Sequence, residues 1–301
     1  MSDTPSVSVV IATYNRADFL RQTIKSILNQ GFRDFELIVV DDGSTDDTRR
    51  LIDSCGPKIR YYYQENRGPA AARNLGVRQA RAPWIAFQDS DDLSTPDHLQ
   101  ILHEYVEAHP ACAMVFANGV YLGGREHNRE TIIPARKSRR LAAEGVRLND
   151  LFEKSIARLQ AALISKAAYG AAGGMNESLR VCHDLDLFLR LCAKFPVAYL
   201  DRVVFQYRKH EGNITRDEEV RLTENIKVIE NLVRDFPEVS KVLGHRRVAR
   251  RTGYRYYRLA KGRWKRNQID AARQALRAAI SLCPLSLKYR YYQRRWGRFG
   301  G

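Results

Sequence analysis

The chain reads as an α/β protein with a mostly parallel central sheet, followed by a helical, basic C-terminal extension. Three observations predict this. Short β-branched or aromatic runs alternate with amphipathic stretches through the first half, the pattern of βαβ units around a sheet. Beyond about Asp217 the pattern is helical throughout. The charge is also divided. From His245 to Gly301 there are 17 Lys and Arg against one acid, Asp270, so this segment carries the whole net charge of +16. The 244 residues before it are neutral, which predicts a balanced globular part and a basic appendage that meets something anionic.

The elements follow in order. Val7 to Ala12, Phe35 to Val40, Ile59 to Tyr63 and Trp84 to Gln88 are predicted strands. Phe19, Ile24, Ile27 and Leu28 recur near helical spacing, and Ala70 to Ala80 makes a second helix. Thr95 as N-cap and Pro96 at the first helical position open a third, which His109-Pro110 ends. A fifth strand spans roughly Ala113 to Leu122. Gly123 to Arg147 is polar and weakly periodic, a long excursion of the kind that is often functional. Leu185, Phe188, Leu189 and Cys192 lie at i, i+3, i+4 and i+7 of a helix starting near Asp184, and Val203 to Tyr207 is a short strand. A helical hairpin is expected between Val248 and Pro284.

Composition excludes several classes. With 301 residues, 44% hydrophobic and 28% charged, the chain can bury a core over roughly two domains and is neither disordered nor low in complexity. Five cysteines without a CxxC argue against a disulfide framework or zinc cage and suit a reducing cytosol. No apolar run approaches the roughly 20 residues of a membrane span, and Met1 to Ser6 lacks the pattern of a secretory leader.

Two acidic clusters carry the chemistry. Asp41-Asp42-Gly43-Ser44-Thr45-Asp46 follows the second strand, placing carboxylates at the carboxyl end of a sheet strand, where open α/β sheets bind ligands. Carboxylates only accept, so they suit an imide N–H or a ribose hydroxyl, although an Asx-turn with a helix cap explains Ser44 or Asp46 as well. Asp89-Ser90-Asp91-Asp92 follows the fourth strand. Its Asp-x-Asp spacing suits Mg²⁺ or Mn²⁺ shared with phosphates; a solvated turn is the plainer alternative.

Taken together these segments resemble the family 2 glycosyltransferases, inverting enzymes of the GT-A fold that use nucleotide-activated sugars. The resemblance covers about Val7 to Thr215. It rests on the opening strand through Thr13-Tyr14-Asn15-Arg16, on Phe35 to Asp46, on Asn66-Arg67-Gly68 with Ala71-Ala72-Arg73-Asn74-Leu75-Gly76, and on Trp84 to Asp92. It implies a GT-A domain over 1–216, with a donor half at about 1–122 and an acceptor half at about 123–216, then a helical basic region over 217–301. Residue by residue, it puts Thr13, Tyr14, Asp42, Arg73 and Asp89 at the donor, Tyr14 flanking the base and Asp42 receiving a uracil imide. It gives Asp91 and His210 to a divalent cation, Mn²⁺ or Mg²⁺. His210 lies in Tyr207-Arg208-Lys209-His210-Glu211-Gly212-Asn213-Ile214-Thr215, similar to a donor-closing segment. Cys182-His183-Asp184 resembles the family's Glu-Asp motif with His183 in place of the Glu, and Asp184 falls on the general base. Asp186 with Arg190 reads as an i,i+4 ion pair.

The expected reaction is transfer of a sugar from a nucleotide-sugar donor, a UDP-sugar, to a hydroxyl of a glycan or lipid-linked acceptor. A sugar-nucleotide pyrophosphorylase would want a glycine-rich basic loop where Thr13-Tyr14-Asn15-Arg16 stands. A nucleic-acid binder would use the tail, whose Tyr254, Tyr256, Tyr257, Trp264, Tyr289, Tyr291, Tyr292 and Trp296 interleave with bases. The acidic donor site favours instead a peripheral contact with an anionic membrane, at its cytoplasmic inner face, with nucleic acid set aside as a partner.

Overall fold

The computed structural model describes residues 4–122, 130–153, 155–210 and 217–297. They fall in two compact units, Met1–Gly212 and Asn213–Gly301. The first contains strands β1 (Val7–Thr13), β2 (Phe35–Asp41), β3 (Ile59–Tyr63), β4 (Trp84–Asp89), β5 (Leu93–Ser94), β6 (Met114–Tyr121), β7 (Ala162–Ser165) and β8 (Val197–Tyr207). Its helices are α1 (Ala17–Leu28), α2 (Thr48–Ser54), α3 (Pro69–Gln79), α4 (His98–Ala108), α5 (Ala135–Glu144), α6 (Leu148–Glu153), α7 (Lys166–Ala171) and α8 (His183–Lys194).

The strands form one sheet in the order β3-β2-β1-β4-β7-β6-β8-β5. β3, β2, β1 and β4 run parallel, as do β6 and β8, whereas β7 is antiparallel to both its neighbours and β5 to β8. β1 and β2 are nearly continuous apolar runs because both their faces are covered. Val7, Val9 and Ile11 join Leu20, Ile24, Ile27, Leu99 and Leu102 in one core cluster, on the side of α1 and α4. Val10, of opposite parity, meets α3 through Gly76. Register then fixes the edge: Thr13 pairs with Asp41, and Ala12 with Asp89.

Several expectations need correction. The helix expected from Thr95 begins at His98, because Thr95 is held beside β8 by its N–H on the Val204 carbonyl at 2.9 Å while the Pro96 carbonyl accepts the Gly31 N–H at 2.8 Å. The short strand at Val203 starts at Val197 and skips Asp201 and Arg202 in a bulge, since Leu200 pairs with Ala117 and Val203 with Asn118. β7 was not foreseen, and the polar excursion contains α5, which buries only Ser138 and Leu141; residues 123–129 lie outside the described residues.

The second unit contains α9 (Glu218–Asp235), α10 (Pro237–Leu243), α11 (His245–Lys265), α12 (Ile269–Leu282) and α13 (Leu287–Gly297), with α11 and α12 as the expected hairpin. Its core brings Leu222 and Ile226 together with Leu259, Ala260, Leu276 and Ala279, and also takes Tyr257, Tyr289 and Trp296. Of the eight aromatics expected at an interface, Tyr257, Tyr289 and Trp296 are buried, Tyr256, Trp264 and Tyr292 pack half-buried against the same core, and Tyr254 and Tyr291 are exposed; Tyr257 stacks on Tyr289 at 5.0 Å and Trp264 on Trp296 at 4.4 Å.

Packing at Gly76 yields a test. A Cβ there would lie 2.3 Å from Val10 Cγ1, in the core. Overpacking costs about 1–3 kcal/mol, against about 1 kcal/mol gained in helix propensity. Gly76→Ala should thus lower the urea midpoint of the chain; an unchanged or raised midpoint would show that α3 yields freely to β1.

Candidate active site

The carboxyl edge of β1, β2 and β4 gathers residues expected at the donor. Thr13 is buried at the end of β1, its hydroxyl without a partner among the described residues, and Tyr14 beside it is exposed. Asn15 takes a left-handed conformation (φ 50°), which lets its N–H reach the Ser44 hydroxyl at 2.9 Å and its side-chain oxygen accept the Thr45 N–H at 2.7 Å. Gly43, at φ +89°, carries no Cβ because one would lie 2.9 Å from the Asn66 nitrogen. Asp41 accepts the Ser44 N–H at 2.8 Å, and Asp46 accepts the N–H groups of Ala17 (2.9 Å) and, two residues on as in an Asx-turn, of Thr48 (3.0 Å), docking α1 against α2.

Asp42 is buried and already engaged. It accepts from the Gln64 amide (2.6 Å) and from the N–H groups of Arg67 (2.9 Å) and Gly68 (2.8 Å). Of about four acceptor positions on a carboxylate, three shape the loop entering α3 and about one is left for a ligand.

Asp89, Asp91 and Asp92 offer carboxylate oxygens that lie within 4.8 Å of one another. Thr23 of α1 pins their turn by donating to the Ser90 and Asp92 carbonyls at 3.0 and 2.8 Å. Asp91 is ion-paired with Arg16 and lies 2.9 Å from His210 Nε2, whose ring packs on Phe19 at 4.7 Å. Glu211 to Thr215 lie outside the described residues. Asp92 accepts the Arg208 N–H at 2.8 Å and the Gln160 amide. Burial first, and then the charges of Asp89 and Asp91, push its carboxyl up to about 8. Three neighbouring hard oxygen donors, one of them held protonated by burial and by the charges of the other two, suit a divalent cation.

Arg73 of α3 joins this cluster to α8. Buried, it donates to Asp89 at 2.6 Å and to His183 Nε2 at 2.8 Å. Burial and then the Arg73 charge press the His183 imidazole down to about 3, so it is neutral, accepts at Nε2 and carries its proton on Nδ1. Asp184, next in the chain and half-buried, accepts its own Leu185 N–H at 2.7 Å. Burial holds its carboxyl above the usual range, opposed by the charges of Arg158 and Arg73 and reinforced by that of Asp89. Asp186 pairs with Arg190 at 2.5 Å.

The structure thus gathers Asp89, Asp91 and His210 in one cluster and ties Arg73 to it. Asp184 shares its electrostatic field, and Thr13, Tyr14 and Asp42 stand along the adjoining edge. Sequence reasoning missed Arg16, Asp92, Arg158, Gln160 and Arg208. Asp92 and Arg208 stood inside segments already singled out; Arg158 and Gln160 belong to no motif and only the fold brings them in.

The model of the family Glycosyl transferase family 2 matches residues 8–179, more than half of the chain. The chain belongs to that family. This glycosyltransferase is 29% identical over 217 residues to an uncharacterized glycosyltransferase of Rickettsia typhi, covering 70% of this chain and 66% of that one. It is 46% identical over 103 residues to one from Rickettsia felis, 34% of this chain but only 17% of the relative's length. It is 27% identical over 222 residues to chondroitin synthase of Escherichia coli, 69% of this chain and 30% of the synthase. Among solved structures, S. aureus TarS 1-349 in complex with UDP-GlcNAc is similar with a TM-score of 0.67 at 19% identity, over 91% of this chain and 81% of that one. A Pyrobaculum calidifontis mannosyltransferase in complex with GDP-Man and Mn²⁺ reaches 0.63 at 18% identity, over 98% and 85%. Identities this low establish the fold alone, which is the GT-A type expected.

The depressed His183 imidazole makes stability depend on pH. Its folded value lies below the roughly 6.5 of an unfolded histidine, so the unfolded chain takes up a proton that the folded one refuses. Stability is therefore lost as pH falls from about 6.5 toward 3. Between pH 7.5 and pH 5 the glycosyltransferase should lose about 2 kcal/mol more than its His183→Gln variant. Urea unfolding of both proteins at the two pH values checks this, and equal losses would mean that His183 titrates normally.

Proposed function

We propose that this glycosyltransferase is a divalent-cation-dependent inverting enzyme that transfers a sugar from a UDP-sugar to a hydroxyl of a glycan or lipid-linked acceptor, in cell-surface polysaccharide or glycoconjugate synthesis. The observation that carries the reading is Asp184, a half-buried carboxyl with raised proton affinity in the electrostatic field of Asp89. A base of this kind takes a proton more readily than an exposed aspartate, at the edge where the donor phosphates would sit.

In this reading Asp184 accepts the acceptor's hydroxyl proton. The freed oxygen bonds to the anomeric carbon from the face opposite the nucleotide, the bond to the diphosphate breaks, and the configuration inverts. Asp91 and Asp89, with Asp92 and His210 beside them, would hold the cation, Mn²⁺ or Mg²⁺. When bound it supplies the positive charge that the leaving diphosphate needs. Arg73 keeps Asp89 and the start of α8 in fixed relation, and Tyr14 and the remaining acceptor position of Asp42 serve the base. The TarS structure holds UDP-GlcNAc and the mannosyltransferase GDP-Man, so the choice of uracil rests on Asp42. Asp184→Asn should keep UDP affinity while turnover falls by about 10²–10⁴-fold, whereas Asp91→Ala should lose cation-dependent UDP binding. Near-normal turnover by the Asn variant would remove the base from Asp184, and a product of retained configuration would exclude single displacement.

For the second unit, the inference is a peripheral contact with anionic lipid at the cytoplasmic inner face of a membrane. No described helix is long and apolar enough to cross one. With Tyr257, Tyr289 and Trp296 in the core, nucleic-acid stacking keeps only Tyr254 and Tyr291 as exposed platforms among the described aromatics of the tail. Beside those two rings the outside carries charge and an apolar tip: Leu285 and Leu287 are 89% and 83% exposed, next to Lys288 and Arg290. Each base near anionic lipid contributes about 1 kcal/mol. The full chain should co-sediment with phosphatidylserine vesicles in a salt-reversible manner, and Leu285→Asp with Leu287→Asp should weaken this severalfold. Absence of vesicle binding at low salt, with tight binding of single-stranded RNA, would reverse the reading.

A further inference from the structure

Within the first unit a cavity of about 860 Å³ opens beside Tyr121 at the end of β6, walled by α5, α6 and the segment from Ser155 to Arg158. Its charge is uneven. Arg136, Lys137 and Arg140 of α5 line it with Arg158, against Glu144 and Asp150. Both acids are engaged by Arg140, Asp150 as a direct ion pair and Glu144 at 3.7 Å, and Glu144 also takes Arg147 at 3.4 Å. Arg140 is thereby neutralised within the wall.

Arg158 is not. It is half-buried, its Nε is shielded from solvent, and no hydrogen-bond or ion-pair partner meets it among the described residues. Leaving a desolvated guanidinium donor unpaired is costly, and it is relieved when an oxyanion arrives. Two residues on, Gln160 donates its amide to Asp92, so the segment that carries Arg158 reaches the acidic cluster, and the Arg158 charge also acts on the Asp184 carboxyl. Arg136, exposed on α5, likewise has no such partner among the described residues.

We propose that this cavity is the acceptor site and that it takes an acceptor bearing an oxyanion, phosphate or carboxylate, close to the reacting hydroxyl, bound by Arg158 with Arg136 farther out. The assignment of the cavity to the acceptor rests on the reading of Asp184 as base; the preference for an oxyanion rests on the arginines. A guanidinium forks onto either oxyanion with paired hydrogen bonds, so the chemistry is shared and the probes must separate its two sources.

The test uses the full chain with UDP and Mn²⁺, titrated with methyl glucoside, methyl glucuronide and glycerol 1-phosphate and followed by ligand-observed NMR. At least one anionic probe should bind ten-fold or more tighter than methyl glucoside, and the tighter of the two identifies carboxylate or phosphate. Arg158→Gln should abolish the preference, Arg158→Lys should restore part of it, and UDP affinity should stay the same in both as the check on folding. Equal binding of all three probes, or a preference that survives Arg158→Gln, overturns the proposal. Neither result depends on turnover, so a failure of Asp184 as base would appear separately, as undiminished turnover in Asp184→Asn.

Discussion

A single buried guanidinium organises the site. Arg73 enters on α3, where Ala70, Ala71, Ala72 and Gly76 let the helix lie close against the sheet, and it can be buried only because an anion and a neutral acceptor meet it there. The anion is Asp89 at the end of β4 and the acceptor is His183 at the start of α8, 110 residues away in sequence. One side chain therefore fixes β4, α3 and α8 to one another. The placement of Asp184 follows from that of His183, since both lie in the first turn of α8.

The rest of the edge is a problem in charge compensation. Three neighbouring carboxylates would repel one another strongly in a low-dielectric setting. Arg16 offsets Asp91, with His210 Nε2 beside it, Arg73 offsets Asp89, and among the described residues Asp92 has only uncharged donors, the Arg208 N–H and the Gln160 amide. The uncompensated member is the one pushed up to about 8. In the proposed reading a cation would compete with the proton for that same charge.

How far this was legible depends on whether a feature is local. The strands at Val7, Phe35, Ile59 and Trp84 announce themselves by continuous β-branched or aromatic runs, and the acids that follow two of them inherit their position from the parallel register. β7 is only four residues long, Ala162–Ser165, and follows a turn instead of a periodic segment, so nothing in the sequence separates it from its surroundings. α5 was hidden because it buries just two side chains and presents mostly charge. Thr95-Pro96 is a sound capping signal, overridden by tertiary hydrogen bonds to Val204 and Gly31. The tail's aromatics interleave with bases in sequence, but helical geometry turns Tyr257, Tyr289 and Trp296 inward. Arg158 and Gln160 became functional candidates only through the fold, since Gln160 bonds to Asp92, 68 residues away, and Arg158 lines a cavity with α5 and α6.

The exchange at His183 shows how one substitution retunes such a site. A glutamate there would pair with Arg73 as an ion and add a negative charge beside Asp184, raising the proton affinity of that carboxyl further. The neutral imidazole adds none, and Arg73 keeps its field on Asp184, alongside that of Arg158. Against the glutamate arrangement the Asp184 carboxyl is therefore raised less. With less help from its neighbour, its basicity depends more on burial and on whatever neutralises Arg158. An acceptor that brings its own negative charge to Arg158 would remove one of the two cations that restrain Asp184, strengthening the base as the hydroxyl it must deprotonate arrives.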